Sequence, residues 1–353
     1  MSRTPATAES PPKFVWSPTG PDRALRTALE DLRGGRYSTA AELLEPMRRN
    51  SDLRCHRLLL LAPVAADSGI ADHWAREQPA SGDAQALAAR AAVIRAIRAH
   101  HAGSPSTAAL IADARQTCHR IAKYFRADPV PLVALLQLAA VEPLRTRDPE
   151  LAFGELDLVL DRIRRAASHS REGHFRLIAA AARRLGENQQ RYVGTAAFQY
   201  AQHAPPGSPL HLLPLVAHLE HFRVNTASSY RERVMFADQE WSTATAKQEI
   251  ETAYFQWFEP AMSTGDALLP DMHLLAHALY KAGMYRQAAA VFEAIGPWAW
   301  PEPWRLHSTQ THDAEHDLTW ARDNCLEYAA SHKRRAAAPY PAASGLHAAT
   351  FKS

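Results

Sequence analysis

A chain of 353 residues with 46% hydrophobic side chains can bury a substantial core, which excludes a disordered polypeptide. Its 40 Lys and Arg against 37 Asp and Glu leave a formal net charge of +3, a balance that demands no strongly acidic or basic partner. Cys55, Cys118 and Cys325 are odd in number and widely spaced. That pattern excludes a disulfide framework and the common zinc-ribbon spacings, and points to a reducing cytoplasm.

Pro5, Pro11, Pro12 and Pro18 stand near the start without an apolar h-region, so this stretch does not read as a secretion signal. It predicts a flexible tail over 1–21. Alanine, with 68 residues, far outnumbers glycine, with 15, and favours helix because Ala loses no side-chain entropy there. Strand signals are sparse, so the expected class is all-α, with roughly fourteen to sixteen helices.

Leu25, Leu29 and Leu32 form a first stripe too apolar to stay wet, which calls for another helix over it. The longest uncharged apolar run, Leu58 to Ala66, is broken by Pro63 and falls far short of the ~20 residues a membrane helix needs. Leu87, Ala91 and Ile94, and later Leu156, Val159, Leu160 and Ile163, recur at helical spacing. Between Val130 and Val141 the chain is apolar almost all round, which predicts a helix covered on several sides. Asp128-Pro129 supplies its start and Pro143 its stop. Ser208-Pro209 repeats the start signal ahead of Leu212, Leu213, Leu215, Val216 and Leu219. The polar interval 225–247 marks a boundary, because six of the eight tryptophans lie from Trp241 onward. It divides a helical-repeat domain over 22–224 from a C-terminal helical region over 225–333, separate from the first or continuous with it. Residues 334–353 begin Arg334-Arg335, lack a helical stripe and predict a second flexible tail.

Two segments answer each other. Gly35, Tyr37, Ala40 and Leu44 follow a helix with Leu25, Ala28 and Leu32; Gly283, Tyr285, Ala288 and Phe292 follow one with Leu275, Ala276 and Leu279. In both, the Gly suits a tight turn between antiparallel helices and the small Ala lets them cross closely. At these residues the chain resembles the tetratricopeptide repeat, with the clearest pair over 267–296. The N-terminal copy departs from the pattern at Thr27 and Asp31, where that family shows larger apolar residues. A second resemblance spans Ala24 to Arg223. It rests on Trp74, Pro79, Ser81, Ala84 and Arg90, on Ser170 to Arg176, and on Ala204 to Leu210 leading into Leu213-Pro214-Leu215. These strings are similar to a family of uncharacterised bacterial helical proteins, a domain of unknown function, which implies a fold but no activity.

Chemistry is harder to place. The sequence holds no Gly-x4-Gly-Lys-Ser/Thr run, no Gly-x-Gly-x2-Gly after a strand and no Gly-x-Ser-x-Gly elbow, so it assigns no catalytic residue and no cofactor. His273 and His277, like His312 and His316, stand at i, i+4, which puts both imidazoles on one helix face. Neither pair is His-Glu-x2-His and no third ligand is evident, so no metal is assigned. His218 and His221, at i, i+3, carry still less weight, as does the Asp157 and Asp161 pair. Cys118 and Cys325 fall in apolar stripes and read as buried thiols, and Cys55, although flanked by Arg54 and His56, reads the same way. Arginines crowd the stretch from Arg162 to Arg191, but Arg162 and Arg164 point in different directions and Asp157, Asp161, Glu172 and Glu187 dilute the field. That argues against nucleic-acid binding.

The tetratricopeptide resemblance implies that the first helix of each pair lines a concave surface, which places His273, His277, Tyr280 and Lys281 on a groove. Such a surface suits an extended peptide or an acidic chain end. Docking of the segment from Pro297 to Trp304 over that face is the competing arrangement. This segment carries Trp298, Trp300 and Trp304, with Arg305 following; its indoles either pack between helices or form an interaction hot spot. The expectation is thus an all-α, tetratricopeptide-like α-solenoid of antiparallel helix pairs. It would act in the cytoplasm as a non-catalytic protein-protein interaction or scaffold module. The expected partner is a protein or peptide, with no membrane or nucleic acid, and a homo-oligomer is compatible with the sequence. The alternative is a helical enzyme, or a ligand- or metal-binding protein, built on His273, His277, His312 and His316.

Overall fold

The computed structural model describes residues 13–49, 51–142, 146, 148–186, 190–226, 239–307 and 313–337. They are almost entirely helical. The chain opens with α1 (Arg23–Arg33), α2 (Ser38–Leu44), α3 (Asp52–Ser68), α4 (Ile70–Glu77), α5 (Gly82–His101) and α6 (Thr107–Tyr124). Next come α7 (Val130–Ala139), α8 (Pro149–Ala166), α9 (Arg171–Leu185), α10 (Gln190–Gln202) and α11 (Leu213–Thr226). Beyond 226 follow α12 (Ala244–Ala253), a π turn over Tyr254–Phe258, α13 (Glu259–Thr264), α14 (Leu269–Lys281), α15 (Tyr285–Ile295), α16 (Trp304–His307) and α17 (Ala314–Ala337).

Local chemistry sets many of these starts. The side chains of Asp22, Ser51, Ser81, Asp148, Ser170 and Thr243 each accept a backbone N–H from the first turn of α1, α3, α5, α8, α9 and α12, meeting donors the helix leaves unpaired. Asp128 does the same for Val130 at 3.0 Å, as the Asp-Pro start signal requires. Gly35 and Gly283 adopt φ of 74° and 75° in the two matching turns, a region where a Cβ is disfavoured.

Packing follows a regular order. Helix α3 lies against α1 and α5, α5 against α7, α7 against α9, and α9 against α11, while α2, α4, α6, α8 and α10 each pack on the helix before. The odd-numbered helices from α1 to α11 thus form one continuous row. Helix α14 extends it by packing on α11 and pairs with α15, which in turn carries α17. Helix α5 can sit in the middle because small residues line several of its sides: Ala84, Ala86 and Ala91 join an N-terminal cluster, whereas Ala89, Ala92 and Ala96 join a larger one. That larger core runs without a break from α5 to Cys325, across the polar interval at 225–247. The first stripe is covered as its apolarity demands, with Leu25, Leu29 and Leu32 buried and α3 over α1.

Part of each stretch expected as a tail belongs to the fold. Residues 1–12 lie outside the described residues, but Phe14 is buried beneath the Arg322 guanidinium, 4.2 Å from its ring. Val15–Trp16 (β1) pairs in parallel with Trp298–Ala299 (β2). Backbone pairing and one aromatic anchor outweigh the local Pro and Ser content. At the other end α17 runs on to Ala337 before the described residues stop. Among the described residues, no helix is long and apolar enough to cross a membrane.

Candidate functional site

Charges buried along the odd row organise its interior. Arg54 on α3 is fully buried; its Nη2 donates to Asp128 Oδ2 at 2.8 Å and its Nε to Asp83 Oδ1 at 2.8 Å, joining α3 to the starts of α5 and α7. Arg90, inside the Ala-rich α5, chelates both oxygens of Glu172 on α9. Arg171 chelates both oxygens of Asp271 on α14 and lies over the Phe175 ring, 4.4 Å from its centroid. Three buried pairs therefore tie α3 to α7, α5 to α9, and α9 to α14. Burial alone would raise the Glu172 carboxyl, but the Arg90 and Arg176 charges hold it down at about 2.

A cavity of about 190 Å³ opens beside the second and third pairs. Its charged wall comes from Arg171, Glu172 and Arg176 of α9, Glu220 of α11, Asp271 of α14 and Glu302; its aromatic and apolar wall comes from His56 and Leu59 of α3, Phe175, Leu219 and Trp300. Four helices from distant parts of the chain and the Trp-rich segment thus meet at one place. Glu220 is met by Arg183 at 3.2 Å and Arg223 at 3.3 Å, and Glu302 by Arg223 at 2.8 Å. Arg176 differs: Glu172 is already chelated by Arg90, leaving Arg176 one Nε contact to it at 3.4 Å. Burial, together with the neighbouring Arg90 and Arg183, lowers the Arg176 pKa. The His56 ring stands 6.1 Å from that of Trp300, and burial together with Arg171 brings its pKa to about 4, so it is neutral at pH 7. Among the described residues, no Ser, Thr, Cys, Lys or Tyr lines the cavity. The arrangement can hold an anionic group beside an apolar one, and it offers no hydroxyl, thiol or amine nucleophile.

The groove expected at His273, His277, Tyr280 and Lys281 is not open. His273 and His277 are 0% and 1% exposed, because the Trp-rich segment docks over α14. Trp304 Nε1 donates to His273 Nδ1 at 3.0 Å, so Nε2 carries the ring proton and donates to the Trp298 carbonyl at 3.1 Å. Burial lowers the His273 pKa to about 4, consistent with that neutral state. His277 lies edge-on to Trp241 and Trp304, with centroids 5.5 and 5.2 Å apart. Tyr280, half-buried, meets the Tyr285 ring at 6.0 Å, and Lys281 is half-buried at the helix end. Among the tryptophans, Trp304 is buried, Trp298 is half-buried near Arg26, and Trp300 alone lines the cavity; Arg305 is exposed. His312 lies outside the described residues, and His316 is exposed on α17 against Trp320. The four histidines of the alternative reading are therefore not brought to one site by the described residues, and none of these forms a metal-holding group of three His, Cys, Asp or Glu.

A different pair of histidines, His218 and His221, is brought together with acids. His218 on α11 bridges Glu240 at 3.1 Å and Glu249 at 2.7 Å, and His221 Nδ1 donates to Glu240 Oε2 at 2.7 Å. Burial would lower His218, yet the two carboxylates raise it to about 9, and Glu240 correspondingly sits at about 2 despite its own burial. The cluster borders a cavity of about 500 Å³ with Arg191, Phe198 and Thr245. The three cysteines are free and buried, and burial pushes the Cys118 and Cys325 thiols up to about 12. Sequence reasoning missed the buried ion pairs; the available signal was an arginine such as Arg90 within an otherwise apolar, Ala-rich helix. Compared with known proteins, the chain matches no family model, no curated protein and no solved structure.

Proposed function

We infer that this chain is a non-catalytic interaction module, a tetratricopeptide-like solenoid of antiparallel helix pairs that binds a protein or peptide partner along the inner row of odd-numbered helices. The regular packing order of α1 to α11 and the matching Gly35 and Gly283 turns support the solenoid reading. The observation that carries the functional reading is the cavity where α3, α9, α11 and α14 converge with Trp300. It combines an aromatic side chain with an under-compensated arginine, and no hydroxyl, thiol or amine side chain lines it among the described residues. The buried free thiols favour a reducing cytoplasm as its compartment. Affinity capture from cytosol, with wild type beside Phe175→Ala/Trp300→Ala, tests this. A protein retained by wild type and lost by the double variant supports the reading, and equal retention by both overturns the inner-row assignment.

One observation favours an enzymatic reading instead. His221 has its Nδ1 fixed by Glu240, and its Nε2 meets no acceptor or donor among the described residues where the 500 Å³ cavity lies alongside. A carboxylate that holds one imidazole nitrogen leaves the other as a base. Turnover on a panel of nitrophenyl esters and phosphates that disappears in His221→Gln would support it; a rate unaffected by that change would sink it.

A further inference from the structure

We propose that the cavity beside Arg176 is a binding site for a small organic monocarboxylate carried on an apolar or aromatic body. The inference rests on the cavity itself and not on the partner-protein reading. Arg176 has a planar fork of donors, and Glu172, the acid it contacts, is held by Arg90. Its terminal nitrogens meet no acceptor among the described residues, and 28% of the side chain remains exposed. A guanidinium so placed matches a carboxylate through two parallel hydrogen bonds.

Charge decides between anions. Glu172, Glu220, Asp271 and Glu302 already surround the space, so a dianion such as phosphate would meet four negative neighbours for one uncommitted cation. A monocarboxylate balances Arg176 and adds no excess. The space is small, about 190 Å³, which suits a compact ligand body. The remaining wall receives the ligand's body, since Trp300, His56, Leu59 and Leu219 present aromatic and aliphatic faces. His56 is neutral there and adds no competing charge.

The test uses the purified full chain and isothermal titration with hexanoate, benzoate and 3-phenylpropionate, each beside its primary amide, and with inorganic phosphate. At least one acid is expected to bind, its amide at least tenfold more weakly, and phosphate not measurably. Arg176→Gln is expected to weaken the acid at least tenfold. Arg176→Lys keeps the charge beside Glu172 but not the fork, and is expected to fall between. Thermal melts of the free variants establish that they fold. Leu158→Ser, on the exposed face of α8 and outside both cavities, should bind as wild type does. Amides that bind as well as the acids, an Arg176→Gln or Arg176→Lys variant that binds undiminished, phosphate that displaces the acid, or no acid binding would each overturn the proposal.

Discussion

Removing the Glu172 charge is the sharpest perturbation of the row's interior. Its side chain is 4% exposed and that of Arg90 is 1% exposed, so neither has water to replace the other. The carboxyl sits at about 2 against an ordinary 4.5. A difference of that size corresponds to about 3 kcal/mol of stability at about 1.36 kcal/mol per tenfold change in proton affinity. Because the folded pKa lies below the unfolded one, the contribution is complete above pH 4.5 and is lost as the pH falls through about 2. Glu172→Gln keeps the shape but strands Arg90 without a counter-charge, which costs about 3–5 kcal/mol. Urea unfolding at pH 7 should show that loss as a lower midpoint at unchanged slope. Arg90→Met/Glu172→Leu removes both charges and should lie within about 1 kcal/mol of wild type or above it. A Glu172→Gln variant within about 1 kcal/mol of wild type, or a double variant that loses the sum of the two single changes, would show that the pair is not coupled as its burial requires.

Three further outcomes are expected. His218 is raised to about 9 from 6.5, so its stabilisation is full below pH 6.5 and lost as pH rises through 9; the melting-temperature gap between wild type and His218→Gln should be wide at pH 6 and closed at pH 10. Asp52 accepts the Arg171 N–H at 3.0 Å, but burial, against the pull of Arg171, raises its carboxyl to about 6 from 3.8. Holding it ionised therefore costs stability above pH 6, and Asp52→Asn, which retains the acceptor, should raise the urea midpoint at pH 8 but not at pH 3.5. Trp304→Phe removes the donor to His273 Nδ1 and leaves that nitrogen buried without it, for a loss of about 1–3 kcal/mol by denaturant titration.

Local features were legible in the sequence because they act over a few residues. Asp128-Pro129 starts α7, the all-round apolar pattern of 130–141 becomes a helix with buried residues on every side, and the two Gly turns fall where the repeat spacing put them. What depends on tertiary closure was not legible. Arg54 finds Asp128 across 74 positions, Arg90 finds Glu172 across 82 and Arg171 finds Asp271 across 100, and no periodicity reports such pairings. The helix pair by itself puts His273 and His277 on an open face, whereas the following segment folds back and satisfies His273 through Trp304 and the Trp298 carbonyl. The same fold-back leaves Trp300 in the wall of the cavity. His218 and His221 gain their acids only when Glu240, within the polar interval, and Glu249, just beyond it, come into reach.

The central claim, that a partner engages the inner row at the cavity, is tested most directly by site-specific photocrosslinking in cytosol. A benzophenone side chain replaces Leu59, in the cavity wall on α3, or Leu158, 68% exposed on α8 of the even-numbered series. A discrete protein or peptide adduct from position 59 that Trp300→Ala abolishes, and none from position 158, is the expected result. An adduct from 158 with none from 59 would contradict it.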